Sequence, residues 1–346
     1  MADVQAPESQ AAPEPSVGRI VAWLAWVGVW IGCWCVVAAA VFLTVTRSFD
    51  VTRSITVLIA HGVTPYLYFS VWPVAALAAW RRKWVLTGVA LALVAVHIAV
   101  TLPAVRPHSR PAWAAAAPKL RVFVANVKVD NPIAADAIRT ILANDVDVVV
   151  LVEVPEWWIG ALQRGGMDAR FPNHVLHPDS TSGRGSVIYS RLPLTEGPTI
   201  DLERGRLEPS AVVTLAGGAK VTLFAIHLVS PRSRDREERW IDNIDHLVRA
   251  VPTITGPFVL AGDFNSTRWH PHFGRLLGTG LTDAHELNGK GLTRSWPADS
   301  PHHLPPLMRL DHALMSRDVT ATAVRDLAVP GSDHRGFVVD LAVRAG

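Results

Sequence analysis

The sequence has little cysteine and little charge. Only 2 of its 346 residues are cysteine, and both lie within one apolar run, at Cys33 and Cys35. The chain after that run therefore has neither a disulfide nor a zinc site built from thiolates. Charged residues make up 18% of the chain and hydrophobic residues 49%. Because that balance is too apolar for an ordinary soluble protein, we expect a membrane region joined to a folded domain.

The chain also lacks a strong excess of basic charge. Its formal net charge is +3, and its lysines and arginines are spread along the sequence rather than gathered into one stripe. Contacts with the phosphate backbone dominate nucleic-acid binding, so a nucleic-acid-binding domain is expected to carry such a stripe. We therefore expect no specific nucleic-acid partner.

Long apolar runs without Asp, Glu, Lys or Arg fill the N-terminal part of the chain. They extend over residues 20–45, 55–80 and 84–105. Each run is at least as long as the roughly 20 residues that a helix needs to cross the hydrocarbon core. The sequence therefore predicts three transmembrane helices within residues 20–105, after a tail of residues 1–19. The first run could instead be a signal peptide, but its length and the acidic tail before it favour a retained helix.

Basic residues between the runs predict the orientation in the membrane. Arg81, Arg82 and Lys83 form the densest cluster, and short loops rich in Lys and Arg stay on the cytoplasmic side. Residues 106–118 contain three prolines and predict a stiff linker, which keeps the following domain close to the bilayer. We therefore predict a multi-pass protein of the cell membrane whose C-terminal domain is extracytoplasmic.

Residues 119–346 alternate short β-rich runs with helical segments. The runs LRVFVANV, DVDVVVLVEV, KVTLFAIHL and GPFVLAGDFN have the β-branched enrichment that is typical of strands. The segments NPIAADAIRTILAND and RDREERWIDNIDHLVRAV carry apolar residues at helical spacing. This alternation predicts a layered α/β or α+β domain.

Polar residues recur at the ends of the predicted strands. They are Asn126, Glu153, His227, Asp263, Asn265, Asp311, Asp333 and His334. Each alone is explained as a turn former or a structural histidine, but several rigid strand ends can converge on one cleft. Converging carboxylates repel one another unless a divalent cation or a protonated histidine neutralises them. Oxygen ligands without cysteine suit Mg²⁺ or Mn²⁺, and Mg²⁺ commonly shares its site with substrate phosphate, so the set predicts phosphoryl chemistry.

The ordered motifs resemble those of the endonuclease/exonuclease/phosphatase superfamily, the DNase I-like proteins, over residues 119–346. The matching motifs are VANV, VLVEV, GSVIYSR, AIHL, AGDFN, RLDHALMS and GSDHRG. One departure is His312 in RLDHALMS, which stands where the commoner motif has an aromatic residue. The resemblance implies an α/β four-layer sandwich, with two packed sheets between outer helices, and a metal-dependent phosphoric ester hydrolase.

The resemblance also implies which residues hold the metal and the attacking water. Asn126, Glu153 and Asp333 would form the metal and phosphate shell. Asp263 and Asn265 would orient or deprotonate the water, or hold a second metal. The implied cofactor is Mg²⁺ or Mn²⁺.

Further roles follow from the same resemblance. His334 would contact the scissile phosphate, and Asp311 would hold its imidazole in one tautomer. His227 would protonate the leaving oxygen or stabilise the equatorial charge. Arg184 and Tyr189, in the GSVIYSR region, are candidates for substrate binding, and for Arg184 an ordinary surface position is the alternative.

Three short helices before such a domain are also similar to VanJ-type teicoplanin-resistance membrane proteins, which implies a link to cell-wall lipid carriers and glycopeptide resistance. We therefore predict hydrolysis of a phosphate ester or pyrophosphate at the membrane surface, with a membrane lipid or lipid-linked phosphate as substrate. The enzymatic alternatives are a phospholipase C-like or sphingomyelinase-like diesterase and an extracellular nuclease. An alternative of another class is a catalytically silent, membrane-anchored binding module.

Overall fold

The computed structural model describes residues 16–51, 54–179, 183–203, 206–298 and 305–345. Most of the predicted N-terminal tail lies outside these described residues. The apolar region that follows forms five helices. They are α1 (Val17–Ser48), α2 (Ile55–Gly62), α3 (Thr64–Phe69), α4 (Val71–Trp80) and α5 (Trp84–Val105).

Two of these helices, α1 and α5, are long and apolar enough to cross a membrane. The second predicted span is broken, because α2 is bent by 74° against the helical stretch that follows it. Pro65 lies in the first turn of α3 and has no N–H to continue the hydrogen-bond ladder. The His61 carbonyl instead accepts a hydrogen bond from Thr64 Oγ1 at 2.7 Å. The structure therefore shows two candidate spans, and a third made from the bent pair stays a prediction.

The C-terminal domain contains two six-stranded sheets and a small two-stranded ribbon. The first sheet has the order β13-β14-β1-β2-β4-β3, the second has the order β11-β12-β10-β9-β8-β5, and the ribbon pairs β6 with β7. The strands are β1 (Lys119–Asn126), β2 (Val148–Val152), β3 (Asn173–His177), β4 (Ser186–Ser190), β5 (Leu194–Glu196), β6 (Ile200–Glu203), β7 (Arg206–Glu208), β8 (Ser210–Thr214), β9 (Lys220–His227), β10 (Phe258–Asp263), β11 (Thr282–Asp283), β12 (Asp311–Met315), β13 (Val319–Ala328) and β14 (Arg335–Val343).

Six helices complete the described part of the domain. They are α6 (Ala134–Leu142), α7 (Glu156–Arg164), α8 (Met167–Arg170), α9 (Arg234–Ala250), α10 (Pro271–Leu277) and α11 (Ala284–Leu287). Helices α6 and α9 fall in the two segments whose apolar spacing predicts helices. Both are amphipathic, with buried residues such as Ile138 and Ile141 in α6 and Trp240 and Ile244 in α9, so each covers apolar strand surface.

The core follows from strands that are apolar on both faces. Val150 of β2 packs with Leu223 of β9 in the apolar cluster between the two sheets. The next residue, Leu151, points to the other face and packs with Ile138 of α6. On the far side of the second sheet, Phe224 packs with residues of α9 and α10. Successive strand residues alternate between faces, so both faces of each sheet are covered. The predicted pair of packed sheets is confirmed.

Strand pairing brings the polar strand ends to one edge of the sheets. The parallel strands β1 and β2 pair Asn126 with Val152, directly before Glu153. In the second sheet, Asp263 pairs with His227 across the parallel strands β9 and β10. The antiparallel strand β12 begins at this edge and pairs its first residue with Asp263 as well. The ends of several strands therefore meet at one place.

The N-terminal helices are docked onto this domain. Arg47 Nε, at the end of α1, donates a hydrogen bond to the Trp269 carbonyl at 3.0 Å. The N–H of Gly291 donates to the Ala104 carbonyl at the end of α5 at 2.8 Å. In the predicted linker, the N–H of His108 donates to the carbonyl of a domain residue. The linker therefore lies against the domain rather than extending freely from it.

Candidate active site

Unusual backbone conformations shape the edge where the strands end. Glu153 has a φ of 61° and Asn265 a φ of 46°, in the left-handed region that residues other than glycine seldom adopt. Such conformations cluster at functional sites, where the surrounding structure enforces them. Gly262 serves a related purpose, because a Cβ there would lie 2.1 Å from the Ile226 carbonyl oxygen. Glycine thus lets β10 approach β9 closely, directly before Asp263.

Asn126 joins two carboxylates through its amide nitrogen. Its Nδ2 donates to Glu153 Oε1 at 2.9 Å and to Asp263 Oδ2 at 3.0 Å. Its Oδ1 accepts a hydrogen bond from the Lys128 N–H at 2.9 Å. If the amide were rotated by 180°, its Nδ2 would face this N–H, and two donors would lie together. Its oxygen thus faces the backbone, and its nitrogen holds the two carboxylates in place. Metal ligation by Asn126 stays a prediction.

His334 and Asp311 form a buried ion pair. His334 Nδ1 lies 2.8 Å from Asp311 Oδ2, which leaves Nε2 3.7 Å from Asp263 Oδ2. Burial alone would lower the pKa of His334, but the charges of Asp311 and Asp263 overcome it and raise that pKa to about 10. His334 is therefore an imidazolium at neutral pH, with the orientation of its ring fixed by Asp311.

Asp263 lies at the centre of the group and is 1% exposed. Its burial, together with the nearby carboxylates of Asp311 and Glu153, raises its pKa to about 7 against the opposing charge of His334. The N–H of Asn265 donates to Asp263 Oδ1 at 2.8 Å, which orients the carboxylate. Asp263 is thus an acid-base group that changes charge near neutral pH.

His227 approaches the same carboxylates from the end of β9. Its Nε2 lies 3.5 Å from Glu153 Oε1 and 3.9 Å from Asp263 Oδ2. The backbone N–H of His227 donates to a carboxylate oxygen of Glu208 at 3.1 Å, in a buried position. The two sheets therefore contribute one histidine each, and both Nε2 atoms lie within 4 Å of Asp263 Oδ2.

The donor groups fit a divalent cation. Two sets of side chains bring ligand atoms within 4.8 Å of one another, Glu153 with His227 and Asp263, and Asp263 with Asp311 and His334. The first set suits a cation better, because it contains two carboxylates, whereas the imidazolium of His334 in the second set has no lone pair to offer. Carboxylate donors without thiolate suit hard divalent ions. A cation beside Glu153 would also relieve the repulsion between the carboxylates.

Two further predicted residues, Asp333 and Arg184, lie around the cleft. Asp333 is half-buried and lines the cleft, where its Oδ2 accepts a hydrogen bond from Trp296 Nε1 at 3.3 Å. Arg184 is exposed, and its N–H lies 3.4 Å from Asp179 Oδ2. Arg184 directly follows Gly183, where a Cβ would lie 3.8 Å from Glu153 Oε2. Arg184 thus lies on the rim beside Glu153, and its contact with substrate stays a prediction.

The prediction that Tyr189 binds substrate needs correction. Its side chain is 0% exposed and packs with residues of α6, α7 and α8 in the cluster on the outer face of the first sheet. In β4, Tyr189 pairs with Val149 of β2. Val149 lies three residues before Val152, the end of β2, so Tyr189 is roughly 10 Å from the strand end that precedes Glu153. Burial raises the pKa of its hydroxyl well above the usual range for a tyrosine, so the group takes no part in acid-base chemistry near neutral pH. Tyr189 is a core residue.

His312 also has a structural environment. Its Nδ1 lies 2.6 Å from Asp283 Oδ2, and its Nε2 lies 2.9 Å from the Ser266 carbonyl oxygen. The ring packs against Phe273 with centroids 4.5 Å apart. Arg309 Nη1 lies 2.8 Å from the same Asp283 oxygen. At the position where the commoner motif has an aromatic residue, His312 thus packs against a ring and forms a hydrogen bond with the carboxylate of the buried Arg309–Asp283 ion pair.

A cleft of about 440 Å³ opens over the catalytic residues. Its polar side includes Glu153, Asp263 and His334, together with basic residues of the neighbouring loops. Its apolar side includes residues of α2 and of the segment before β12. The sequence-based interpretation did not identify the α2 residues, because they read as part of a membrane span. It also did not identify Ser332, whose Oγ donates to the Asn126 carbonyl at 2.8 Å and accepts the N–H of His334 at 3.0 Å.

Two packed sheets that bring carboxylates, an amide and two histidines to the ends of their strands define a phosphoesterase. The sequence profile of the Endonuclease/Exonuclease/phosphatase family matches residues 123–334. The chain therefore belongs to this family, whose members hydrolyse phosphoric esters. The matched region begins after α5, so the family profile concerns the C-terminal domain.

Solved structures show the same fold. A humanized D. rerio TDP2 is 18% identical, with a TM-score of 0.54 over 65% of this chain and 99% of that chain. A family member from Bacteroides thetaiotaomicron is 14% identical, with a TM-score of 0.51 over 65% of this chain and 95% of that chain. At these identities the likeness concerns the fold alone. Among curated proteins, none matches this chain.

Proposed function

We propose that the protein is a membrane-anchored, Mg²⁺-dependent phosphoesterase that hydrolyses a phosphate ester or a pyrophosphate at the membrane surface. The observation that carries the proposal is the convergence of Glu153, His227, Asp263 and His334 in one cleft. Carboxylates that share a site in this way suit a cation and a phosphate together. The four-layer arrangement implied by the resemblance belongs to the same proposal.

Each residue has a defined part in the proposed hydrolysis. Asp263, with a pKa of about 7, accepts a proton from the water that attacks phosphorus. His334 directs its Nε2–H toward the phosphate oxygens while Asp311 holds Nδ1. The bond from phosphorus to the leaving oxygen breaks, and His227 gives that oxygen its proton.

A bound Mg²⁺ would supply positive charge to the phosphate oxygens in this site. Glu153 would hold it, and the half-buried carboxylate of Asp333 is a further ligand in the proposal. Asn126 keeps the carboxylates of Glu153 and Asp263 at a fixed separation. Such fixed donors reduce the reorganisation that the reaction needs.

The contacts of the N-terminal helices support an extracytoplasmic domain. The ends of α1 and α5 both contact the domain, through Arg47 and Ala104. Arg81 lies over the ring of Trp26, 3.7 Å from its centroid, in the first half of α1. The basic loop before α5 thus lies near the opposite end of α1 from the domain. With the basic loop on the cytoplasmic side, we propose a multi-pass protein with its active site outside.

The proposed substrate is a membrane lipid or lipid-linked phosphate. The similarity in architecture to VanJ-type teicoplanin-resistance membrane proteins favours a cell-wall lipid carrier and a role in antibiotic resistance. A phospholipase C-like or sphingomyelinase-like diesterase is the rival enzyme. A nuclease is a further rival, and one similar structure, D. rerio TDP2 with a TM-score of 0.53, holds a single-strand DNA product. A silent binding module is the rival of another class.

The test offers three substrates to the full-length protein in detergent, with Mg²⁺ or with a chelator. They are undecaprenyl diphosphate, a phospholipid diester and single-stranded DNA. We expect metal-dependent product release from the first, lost in Asp263→Asn and His334→Gln. Asp318→Asn is a matched control, because Asp318 contacts Arg317 and Arg344 at the surface. Turnover of another substrate would select a rival enzyme, and identical results for wild type and both variants would contradict the proposal.

A further inference from the structure

The first part of the second apolar run forms a wall of the active-site cleft. Ile55, Leu58 and Ile59 of α2 line the same cavity as Asp263 and His334. A helix whose sequence suits a membrane span thus faces catalytic carboxylates across one cavity. Neither membrane anchoring nor the catalysis described above requires this arrangement.

Helix α2 is built into the domain by specific contacts. Leu58 is 3% exposed and belongs to the apolar core on the outer face of the second sheet. The Leu58 carbonyl oxygen lies 3.0 Å from His270 Nε2, which donates to it. At the end of the helix, a Cβ on Gly62 would lie 3.1 Å from Met308 Sδ and 3.3 Å from the His270 ring. Glycine therefore permits the close approach of α2 to the domain.

The two isoleucines of α2 remain accessible within this arrangement. Ile55 is 39% exposed and Ile59 is 51% exposed. They are four residues apart and share one face of the helix. Leu58 and His270, by contrast, are buried, so α2 is fixed on one side and open on the other. The open side offers apolar surface directly beside a polar catalytic centre, the combination that an amphipathic ligand fits.

We propose that Ile55 and Ile59 bind the hydrocarbon chain of a membrane lipid whose phosphate lies between Glu153 and His334. This inference rests on the proposed function and specifies its substrate class, a lipid phosphate whose chain begins close to the scissile group. The cavity of about 440 Å³ accommodates a phosphate and the first part of a chain, and the chain continues along α2 toward the bilayer. Nucleic acids and soluble phosphates lack the hydrocarbon chain that α2 would bind.

Kinetics on chain length test the inference. The substrates are two polyisoprenyl diphosphates that differ only in chain length, one long and one of a few carbons, offered to the full-length protein in detergent. We expect Ile59→Ser to lower kcat/KM for the long chain on the order of tenfold, because apolar contact is lost, and to change the short-chain value little. Ile98→Ser is the matched control, because Ile98 of α5 is 46% exposed and does not line the cleft.

If Ile59→Ser lowered kcat/KM equally for both chain lengths, or for neither, the assignment of α2 as the binding site of the chain would be overturned. A wild-type protein that hydrolyses neither substrate would contradict the proposed function and leave the role of α2 to a binding experiment. That experiment uses an alkyl phosphonate with a diazirine in its chain, in phosphatidylcholine vesicles that contain the full-length protein. Its carbon–phosphorus bond is not hydrolysed, so binding is observed without turnover.

We expect photolabelling of the peptide that contains Ile55 and Ile59, and we expect added inorganic phosphate to reduce it. Labelling of α5 should not respond to phosphate, because it reports general contact with lipid. If α2 and α5 were labelled equally and added phosphate changed neither, the inference would be overturned. Phosphate-sensitive labelling of α2 without hydrolysis of any substrate would support the binding site and count against the proposed enzyme.

Discussion

Two buried aspartates in the second sheet have opposite electrostatic surroundings. Asp263 ends β10 and Asp283 ends β11, and they are 1% and 3% exposed. Burial opposes the ionisation of both. Beside Asp283, the charge of Arg309 and a hydrogen bond with His312 overcome that opposition and hold its pKa well below the usual range. Beside Asp263, burial together with the carboxylates of Asp311 and Glu153 prevails over the charge of His334, and the pKa rises to about 7.

The comparison separates a structural charge from a reactive one. A buried carboxylate with an arginine partner is locked in one charge state and contributes to a fixed core. A buried carboxylate among other carboxylates changes charge near neutral pH and has a place for a cation. The two residues are of the same type and similarly buried, so their charged neighbours account for the difference between their pKa values.

The largest expected effect is on catalysis. Asp263→Asn removes the group that accepts the proton of the attacking water, so we expect kcat to fall by about 10³-fold or more. The fold should persist, because the amide replaces a group that repels its neighbours. Steady-state rates and circular dichroism on the same preparation measure both properties. Retention of more than a tenth of the wild-type rate would remove Asp263 from the reaction.

Asp283→Asn should have its main effect on stability. The change leaves the Arg309 guanidinium, 3% exposed, without the carboxylate 2.8 Å away. We expect the free energy of unfolding to fall by about 3 to 5 kcal/mol, the usual consequence of breaking a buried ion pair. Chemical denaturation of the full-length protein measures this loss. If Asp263→Asn and Asp283→Asn destabilised the protein equally, the contrast between the two aspartates would be wrong.

The pH dependence of stability should differ between the wild type and Asp263→Asn in the presence of a chelator. The folded pKa of Asp263 is about 7, raised from 3.8, so between those values the folded state binds more protons than the unfolded state. The Asp263 contribution to the free energy of unfolding therefore falls as pH rises from about 4 to 7. We expect the variant to gain on the order of 4 kcal/mol over wild type at pH 7.

That gain should vanish near pH 4, where Asp263 is protonated in the folded state. Denaturation at a series of pH values measures the difference curve. A difference that stays constant from pH 4 to pH 7 would show that Asp263 is not held at a raised pKa. Asp283 gives the opposite sign, because its depressed pKa stabilises the fold above its unfolded pKa and that stability is lost in acid.

The smallest expected effect concerns a buried residue outside both charge clusters. Tyr189→Phe keeps the ring that packs against the outer face of the first sheet. We expect kcat/KM to change by less than about twofold and stability by less than about 1 kcal/mol. Arg184→Ala provides the comparison on the rim, because its position near Glu153 allows substrate contact. A large loss of activity in Tyr189→Phe would restore the substrate role that its burial contradicts.

Much of the candidate site could be predicted because its residues occupy strand ends. The apolar strands before Asn126, Glu153, His227 and Asp263 are local patterns, and parallel strands place their ends at one edge. Which face of the sheet each strand residue occupies was harder to predict from the sequence. The strand around Tyr189 is buried on both sides, so its apolar pattern does not distinguish the cleft side from the helix-covered side.

The orientation of the Asn126 side-chain amide also could not be predicted from the sequence. An asparagine can offer an oxygen to a metal or a nitrogen to carboxylates, and its neighbours decide which. The Lys128 N–H, brought near by a left-handed backbone at that residue, turns the oxygen away from the carboxylates. A motif of four letters does not contain this information, because the partners come from three different strands.

Hydropathy and strand-end motifs are encoded locally, so the apolar N-terminal region, the family and most of the residues near the cleft could be predicted from the sequence. The different packing of the two parts of the run at residues 55–80 could not. Its second part packs among apolar helices, and its first part, α2, packs on the domain through Leu58 and His270. The physical reason is that apolar composition is the same for a lipid-facing and a core-facing helix, and only the partner surface distinguishes them.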